Sequence, residues 1–113
     1  MKILLVDDDE ECLKALQMML TAMDYDCIAS SDPREALNHF ALHSFNLIIT
    51  DFRMPFMTGG ELARKIRDIN ADVKIILISG YLPHVESVND SLFNAFLEKP
   101  VNISELKSVL DSL

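Results

Sequence analysis

Hydrophobic residues follow two alternating patterns along this chain. Short runs of consecutive apolar residues are typical of strands that are buried on both faces. Between these runs, apolar residues recur every three or four positions, as they do on one face of a helix. The apolar runs predict five strands, at residues 3–6, 27–29, 45–50, 73–79 and 95–98. The helical spacing predicts five helices, with apolar positions within residues 12–23, 36–40, 62–69, 85–93 and 103–110.

The regular alternation of strands and helices predicts the fold class. Parallel strands need long crossover connections, usually helices, and these helices cover both faces of the sheet. We therefore expect an α/β fold with a doubly wound, five-stranded parallel sheet in three layers. The chain has 113 residues, half of them hydrophobic, which fits a single domain over residues 1–113 with one packed core.

The starts of most helices are marked by capping residues. Asp32 precedes Pro33, and Thr58 and Asn102 are each followed three residues later by a glutamate. These patterns are typical of helix N-termini, because the capping side chain accepts hydrogen bonds from free backbone amides. The fourth helix, within residues 85–93, lacks such a cap, so we expect it to be the least stable element.

Charged or hydroxyl side chains follow four of the five predicted strands. Asp7 and Asp8 follow the first strand, Asp51 follows the third, Ser79 ends the fourth and Lys99 follows the fifth. The carboxyl ends of parallel strands meet at one edge of a sheet, and ligands bind there at the point where the strand order reverses. The sequence therefore predicts one crevice that holds several carboxylates, a hydroxyl group and an ammonium group.

This set of side chains fits a divalent cation and a phosphoryl group. Mg²⁺ prefers oxygen ligands and keeps several waters, so two or three carboxylates are enough to bind it. A carboxylate can attack phosphorus to form an aspartyl phosphate, and Lys99 would balance the charge of the phosphoryl oxygens. Taken singly, Asp8 or Asp9 could cap the first helix, Asp51 could be a loop residue and Lys99 could lie in a turn. Their order along successive strands favours a shared site.

Composition and charge restrict the function further. The net charge is −8, five of the acids lie in the run 7–11, and there is no basic stripe, which argues against direct nucleic-acid binding. No apolar run approaches the roughly 20 residues that span a membrane. The N-terminus leads straight into a strand rather than a signal peptide, so we expect a cytoplasmic protein. Cys12 and Cys27 lack metal-binding spacing and are predicted to lie in or near the core.

Four segments together resemble the response-regulator receiver domain of two-component signalling. They are residues 3–8, 51–59, 78–81 and 96–100, and the resemblance extends from Lys2 to Leu113. It implies a flavodoxin-like fold with strand order 2-1-3-4-5.

The resemblance also implies a role for each acid at the strand ends. Asp51 would be the phosphoacceptor. Mg²⁺ (or Mn²⁺) would be bound by Asp8, Asp51 and the backbone carbonyl of Arg53, with Asp7 acting mainly through bound water.

Three further residues would read the phosphoryl group, again by resemblance. Lys99 would contact it, Ser79 would be the switch hydroxyl and Phe96 would be the switch aromatic residue. Ser79 stands where threonine is commoner, and Phe96 lacks the phenol of the frequent tyrosine. The bond between Lys99 and Pro100 is expected to be cis, which is rare except before proline. Tyr81, two residues after Ser79, is predicted to shield the phosphoryl group from water.

The implied partner is a histidine kinase or a histidine phosphotransfer protein, which would supply the phosphoryl group. Phosphorylation would change the surface formed by the fourth helix, fifth strand and fifth helix, and a homodimer could form through the same surface. Such a domain is a signalling module, and it would catalyse only its own phosphorylation and dephosphorylation.

Two alternatives stay open: a docking module that works without phosphorylation, and a metal-dependent phosphohydrolase. The second usually needs an acid two residues after the nucleophile, where this chain has Arg53.

Overall fold

A parallel β-sheet of five strands forms the centre of the fold. The computed structural model describes residues 1–80 and 90–113. The strands are β1 (Lys2–Val6), β2 (Asp26–Ser30), β3 (Leu47–Asp51), β4 (Lys74–Ser79) and β5 (Ala95–Glu98). They are all parallel, in the order β2-β1-β3-β4-β5. The α/β class and the strand order are therefore confirmed.

Four α-helices are present in the described part of the chain. They are α1 (Glu10–Ala22), α2 (Pro33–Leu42), α3 (Gly59–Ile69) and α4 (Ile103–Ser112). The fourth predicted helix lies mostly in residues 81–89, outside the described residues. Its described end forms a short 3-10 turn, Asp90–Leu92. The fifth predicted helix is therefore α4 here.

The core is divided between the two faces of the sheet, because successive strand residues belong to opposite faces. On β1, for example, Leu4 and Val6 pack on one face, and Ile3 and Leu5 pack on the other. The first face is covered by α2 and α3, through Ala36, Phe40, Leu62, Ala63 and Ile66. The second face is covered by α1 and α4, through Leu13, Leu16, Leu20, Leu106 and Leu110.

Helix capping agrees with the sequence in most places. Asp32 accepts a hydrogen bond from the backbone of Arg34, and Thr58 forms a complete capping box with Glu61. Asn102 accepts from the backbone of Glu105, and the Glu105 carboxylate is bonded to the Asn102 side chain rather than to its backbone. At α1, the cap is Asp9, which accepts from the amides of residues 11 and 12. Asp8 is therefore not needed for capping.

Arg67 joins the end of α3 to the chain segment that enters β5. Its guanidinium donates to the carbonyl of Leu92 at 2.9 and 3.2 Å and to Asn94 Oδ1 at 3.0 Å. It also donates to the carbonyls of Ala71 and Val73. Arginine suits this position because its planar guanidinium has five donors in a fixed arrangement. This network fixes where β5 begins and so helps to place the residues at its other end.

Candidate functional site

Two neighbouring strands in the middle of the sheet end at carboxylates. Asp7 follows β1, and Asp51 is the last residue of β3, at the point where the strand order reverses. One carboxylate oxygen from each of Asp7, Asp8 and Asp51 lies within 4.8 Å of the other two. Asp7 is completely buried and Asp51 is 7% exposed, whereas Asp8 faces solvent. The structure thus brings the three predicted acids together at the edge where such sheets bind ligands.

Lys99 reaches this cluster from the end of β5, an edge strand of the sheet. It follows β5, which β4 separates from β3, so only a long side chain spans the gap. The ammonium nitrogen Nζ lies 2.9 Å from Asp7 Oδ2 and 3.3 Å from Asp51 Oδ2. The peptide bond between Lys99 and Pro100 is cis, which confirms the prediction.

Backbone amides hold the other oxygen of each buried carboxylate. Asp7 Oδ1 accepts from the amide of Asp9 at 3.0 Å, and Asp51 Oδ1 accepts from the amide of Phe52 at 2.9 Å. Asp7 Oδ2 is fully buried and is paired with Lys99 Nζ. Each carboxylate is therefore fixed in orientation, with one oxygen directed into the shared site.

The donor set fits a small, hard divalent cation. The cluster contains three carboxylates and only one neighbouring ammonium group, that of Lys99, among the described residues. It therefore keeps an excess of negative charge. A divalent cation would remove this excess, and oxygen ligands in this number suit Mg²⁺, which also binds phosphoryl oxygens. The residues present therefore fit Mg²⁺, with Asp7, Asp8 and Asp51 as its candidate ligands.

The charges in the cluster change the ionisation of its members. Burial and the neighbouring Asp7 raise the pKa of Asp51 from 3.8 to about 6, although Lys99 opposes the change. Burial acts to lower the pKa of Lys99, but its hydrogen bond and ion pair with Asp7 outweigh burial, and the pKa is raised. Lys99 is therefore charged at neutral pH, whereas Asp51 is a more basic carboxylate than usual.

The raised pKa predicts that Asp51→Asn stabilises the metal-free protein at alkaline pH. A carboxyl group whose pKa is higher in the folded state than in the unfolded state stabilises the fold while it is protonated. This contribution is complete at pH values below the ordinary pKa of 3.8. That contribution is lost as the pH rises through about 6. Asparagine stays neutral, so we expect its free energy of unfolding to exceed that of the parent by roughly 1–2 kcal/mol near pH 8.

Urea denaturation in a chelating buffer measures this difference. It should shrink as the pH falls below about 4, where Asp51 becomes protonated in the unfolded state as well as in the folded state. A parent protein that is more stable than the variant near pH 8 would contradict the burial and repulsion described here.

Cys12 is a neighbour of this site that the sequence did not reveal as such. It lies in the first turns of α1 and packs partly buried against the α1 and α4 core, as expected for a near-core residue. Burial and a side-chain hydrogen bond with Asp7 raise the pKa of the thiol to about 12. Cys12 is thus a neutral neighbour of Asp7. The sequence gives one weak signal of this proximity, which is that Cys12 follows Asp7 by five residues.

Comparison with known families identifies the chain. A model of the response regulator receiver domain matches residues 3–111. The chain belongs to this family. The predicted resemblance is therefore confirmed, and the domain is a signalling module. Receiver domains in general bind Mg²⁺ at an acidic pocket and partner with histidine kinases or phosphotransfer proteins, and this chain has a cluster of three acids, Asp7, Asp8 and Asp51.

Relatives of this receiver domain occur in longer proteins. It is 31% identical to a probable transcriptional regulator, ycf27, of Cyanidium caldarium, over 98% of this chain and 45% of the relative. It is 30% identical to the transcriptional regulatory protein GlrR of Escherichia coli, over 96% of this chain and 25% of the relative. The chain thus spans less than half the length of either relative.

Solved structures share the receiver fold over nearly the whole chain. The response regulator TrrA of Thermotoga maritima, in complex with Mg²⁺ and BeF, is 31% identical with a TM-score of 0.91. The match covers 98% of this chain and 96% of that one. CheY4 of Vibrio cholerae is 27% identical with a TM-score of 0.92, covering 98% and 96% of the two chains.

Two further predicted residues lie on β4 and β5, and a third lies outside the described part of the chain. Ser79 is the last residue of β4, and its carbonyl accepts from the amide of Lys99 at 2.7 Å. Phe96 lies on β5, partly buried, with its ring centroid 5.7 Å from that of Phe93. Tyr81 lies outside the described residues. No helix in the ranges 1–80 and 90–113 is long and apolar enough to cross a membrane.

Proposed function

We propose that this receiver domain accepts a phosphoryl group on Asp51 from a phosphohistidine of a histidine kinase or histidine phosphotransfer protein. We further propose that residues 1–113 act as one domain in the cytoplasm. The observation that carries the proposal is the placement of Asp51. Its carboxylate is nearly buried, belongs to a cluster of three acids and has Lys99 Nζ 3.3 Å from Oδ2.

The transfer is a single displacement at phosphorus. A carboxylate oxygen of Asp51 forms the new O–P bond as the P–N bond to the donor imidazole breaks. The imidazole nitrogen keeps the electron pair and takes a proton from water. The raised pKa of Asp51 makes its oxygen a better nucleophile than an ordinary carboxylate, and it is still ionised at neutral pH. Hydrolysis of the acyl phosphate later restores the carboxylate and releases inorganic phosphate.

The chain's own residues balance the charge of the phosphoryl group. Lys99 is already aimed at Asp51 and would exchange its ion pair with the carboxylate for one with a phosphoryl oxygen. Asp7, Asp8, Asp51 and the backbone carbonyl of Arg53 would hold Mg²⁺, which supplies further positive charge to the phosphoryl oxygens. Asp7 stays buried and would keep Lys99 and Mg²⁺ in place.

The conformational change that follows phosphorylation would involve two residues on the strands near Lys99. Ser79 would donate a hydrogen bond to the phosphoryl group, and Phe96 would turn inward into the space behind it. Both residues lie on strands next to or near β3, so the change passes to the surface of the fourth predicted helix, β5 and α4. That surface is where we place the output, including any homodimer.

Mass spectrometry of the intact protein tests the proposal. With Mg²⁺ and acetyl phosphate, we expect the chain to gain the mass of one phosphoryl group, because the donor is small enough to enter without a kinase. With a chelator in place of Mg²⁺, the gain should disappear. No gain under either condition would favour a docking module that works without phosphorylation. Steady turnover of a phosphomonoester would favour a phosphohydrolase instead.

A further inference from the structure

We propose that Arg34 is a positioning residue for the metal site. Its guanidinium, held by Asp32, stacks on the ring of Phe56 and keeps the loop after Asp51 in the conformation that binds Mg²⁺. This inference rests on the proposed function, because it assumes that the loop supplies the carbonyl of Arg53 to the metal. The side chains of Asp32, Arg34 and Phe56 together form a clamp.

Phe56 has a backbone conformation that is unfavourable for its side chain. Its φ angle is 76°, in the left-handed region that glycine adopts readily and bulky residues avoid. Its ring is also 68% exposed, so burial in the core does not hold it there. Such strain persists only where surrounding contacts enforce it. The structure therefore needs a partner for Phe56 outside the core.

Arg34 is that partner. Its guanidinium carbon lies 3.4 Å from the centroid of the Phe56 ring, which is the distance of direct stacking. Arg34 lies in the first turn of α2, whereas Phe56 lies between β3 and α3, so the contact joins the start of a helix to the loop that follows Asp51. A planar guanidinium suits both a ring face and a carboxylate, which lysine does not.

Asp32 fixes the orientation of Arg34. Asp32 Oδ2 accepts from Arg34 at 2.9 Å and Oδ1 accepts from its Nε at 3.2 Å, so the pair is bidentate. The hydrogen bonds from Arg34 lower the pKa of Asp32, which therefore stays ionised. Asp32 also caps α2. The guanidinium is thus anchored to a helix end before it touches Phe56.

The clamp acts on the loop that runs from Asp51 to α3. Within this loop, the amide of Met57 donates to the carbonyl of Pro55 at 2.9 Å, and the amide of Gly59 donates to that of Phe52 at 2.7 Å. Phe56 lies in the middle of these bonds. If it left the left-handed region, the turn would open and the backbone around Arg53 would move. The clamp therefore sets the population of the loop conformation in which the carbonyl of Arg53 can bind Mg²⁺.

The effect of Arg34→Ala on Mg²⁺ affinity separates the clamp from simple charge. Removing a positive charge near an acidic site should strengthen cation binding by electrostatics alone. The clamp predicts the opposite, a roughly three-fold weaker affinity, which is the worth of an exposed cation–π contact. Arg34→Lys keeps the charge but loses the planar stack, so its affinity should be at least as weak as that of Arg34→Ala. Titrations followed by NMR measure the affinity of the metal alone.

Three control variants make the test specific. Arg64→Ala removes the same charge from an exposed position on α3 and should not weaken binding. Phe56→Tyr keeps the ring and should match the parent. In Phe56→Gly, position 56 adopts a positive φ freely, so adding Arg34→Ala should cause no further loss. Backbone order parameters of residues 52–58 should fall in Arg34→Ala, in the absence of donor and phosphorylation.

The outcomes distinguish this inference from the proposed function. A parent chain that fails to bind Mg²⁺ would overturn both. A parent that binds Mg²⁺, with Arg34→Ala binding equally or more tightly and with unchanged order parameters, would overturn the clamp and leave the proposed function standing. An equal loss on adding Arg34→Ala to Phe56→Gly would also overturn the clamp, because Arg34 would then act without the ring.

Discussion

Asp51→Asn should abolish phosphorylation of this chain by acetyl phosphate. An amide is a poor nucleophile towards phosphorus and does not form a stable acyl phosphate, whereas a carboxylate does. The substitution keeps the shape of the side chain, and its oxygen can still accept the hydrogen bond from the amide of Phe52. The loss would therefore reflect the missing carboxylate rather than a collapsed site. Intact mass after incubation with Mg²⁺ and acetyl phosphate measures the result.

Asp9→Asn is the matched control for this prediction. It removes one negative charge close to the same edge of the sheet, but the carboxylate of Asp9 is occupied in capping α1. Asparagine caps helices as well as aspartate, so stability and phosphorylation should both be preserved. If Asp51→Asn still gained a phosphoryl group, or if Asp9→Asn lost it, the assignment of the acceptor would be wrong.

Gly59→Ala should destabilise the fold and slow phosphorylation together. A Cβ atom at this position would lie 2.3 Å from the backbone carbonyl oxygen of Asp51 and 3.0 Å from a methyl group of Leu77. The carbonyl cannot rotate away as a side chain can, so α3 or the end of β3 must move. We expect a loss of about 3 kcal/mol in the free energy of unfolding. The same displacement misplaces Asp51, and about 1 Å can slow a reaction by about 10²-fold.

Gly80→Ala provides the comparison, because it makes the same substitution after a neighbouring strand. No described atom lies within 4 Å of a Cβ built there. Its free energy of unfolding should stay within about 1 kcal/mol of the parent. Urea denaturation and the rate of phosphoryl uptake are both measured on the two variants. Equal stability of Gly59→Ala and the parent would show that the contact between α3 and Asp51 is looser than the structure has it.

The fold was predictable because its strands differ so clearly from its helices in pattern. The apolar runs that became β1 and β4 are buried on both faces, so continuous hydrophobicity identified them. The predicted ends of the strands were less accurate where the burial of a residue does not match its backbone conformation. Phe45 was predicted to lie in the third strand, yet it precedes β3 and is buried against the ring of Phe40. β2 extends to Asp26 and Ser30, because a strand at the sheet edge tolerates polar ends.

The meeting of the site residues was predictable for a topological reason. Once the strands are parallel, the residues at their carboxyl ends must lie at one edge, which is how Asp7, Asp51 and Lys99 could be placed together from the sequence. The ion pairs of Lys99 with both acids agree with that placement. The separate roles of these residues came from the resemblance to receiver domains and stay predictions until the variants are measured.

The contact between α2 and the loop after β3 was not predictable in the same way. Arg34 and Phe56 are 22 residues apart, and neither belongs to a pattern that pairs them. Their stacking depends on a left-handed φ angle at Phe56, which sequence preference argues against for a bulky residue. A strained residue of this kind becomes visible only in the structure.

Locating the phosphoryl group tests the central claim most directly. The parent chain is phosphorylated with acetyl phosphate and Mg²⁺ and then treated with borohydride, which reduces an acyl phosphate of aspartate to homoserine. Peptide mass spectrometry then reads the modified position. Homoserine at position 51 alone is the predicted result. Homoserine at position 7 or 8, or a phosphoryl group that resists borohydride on a serine or threonine, would contradict the account.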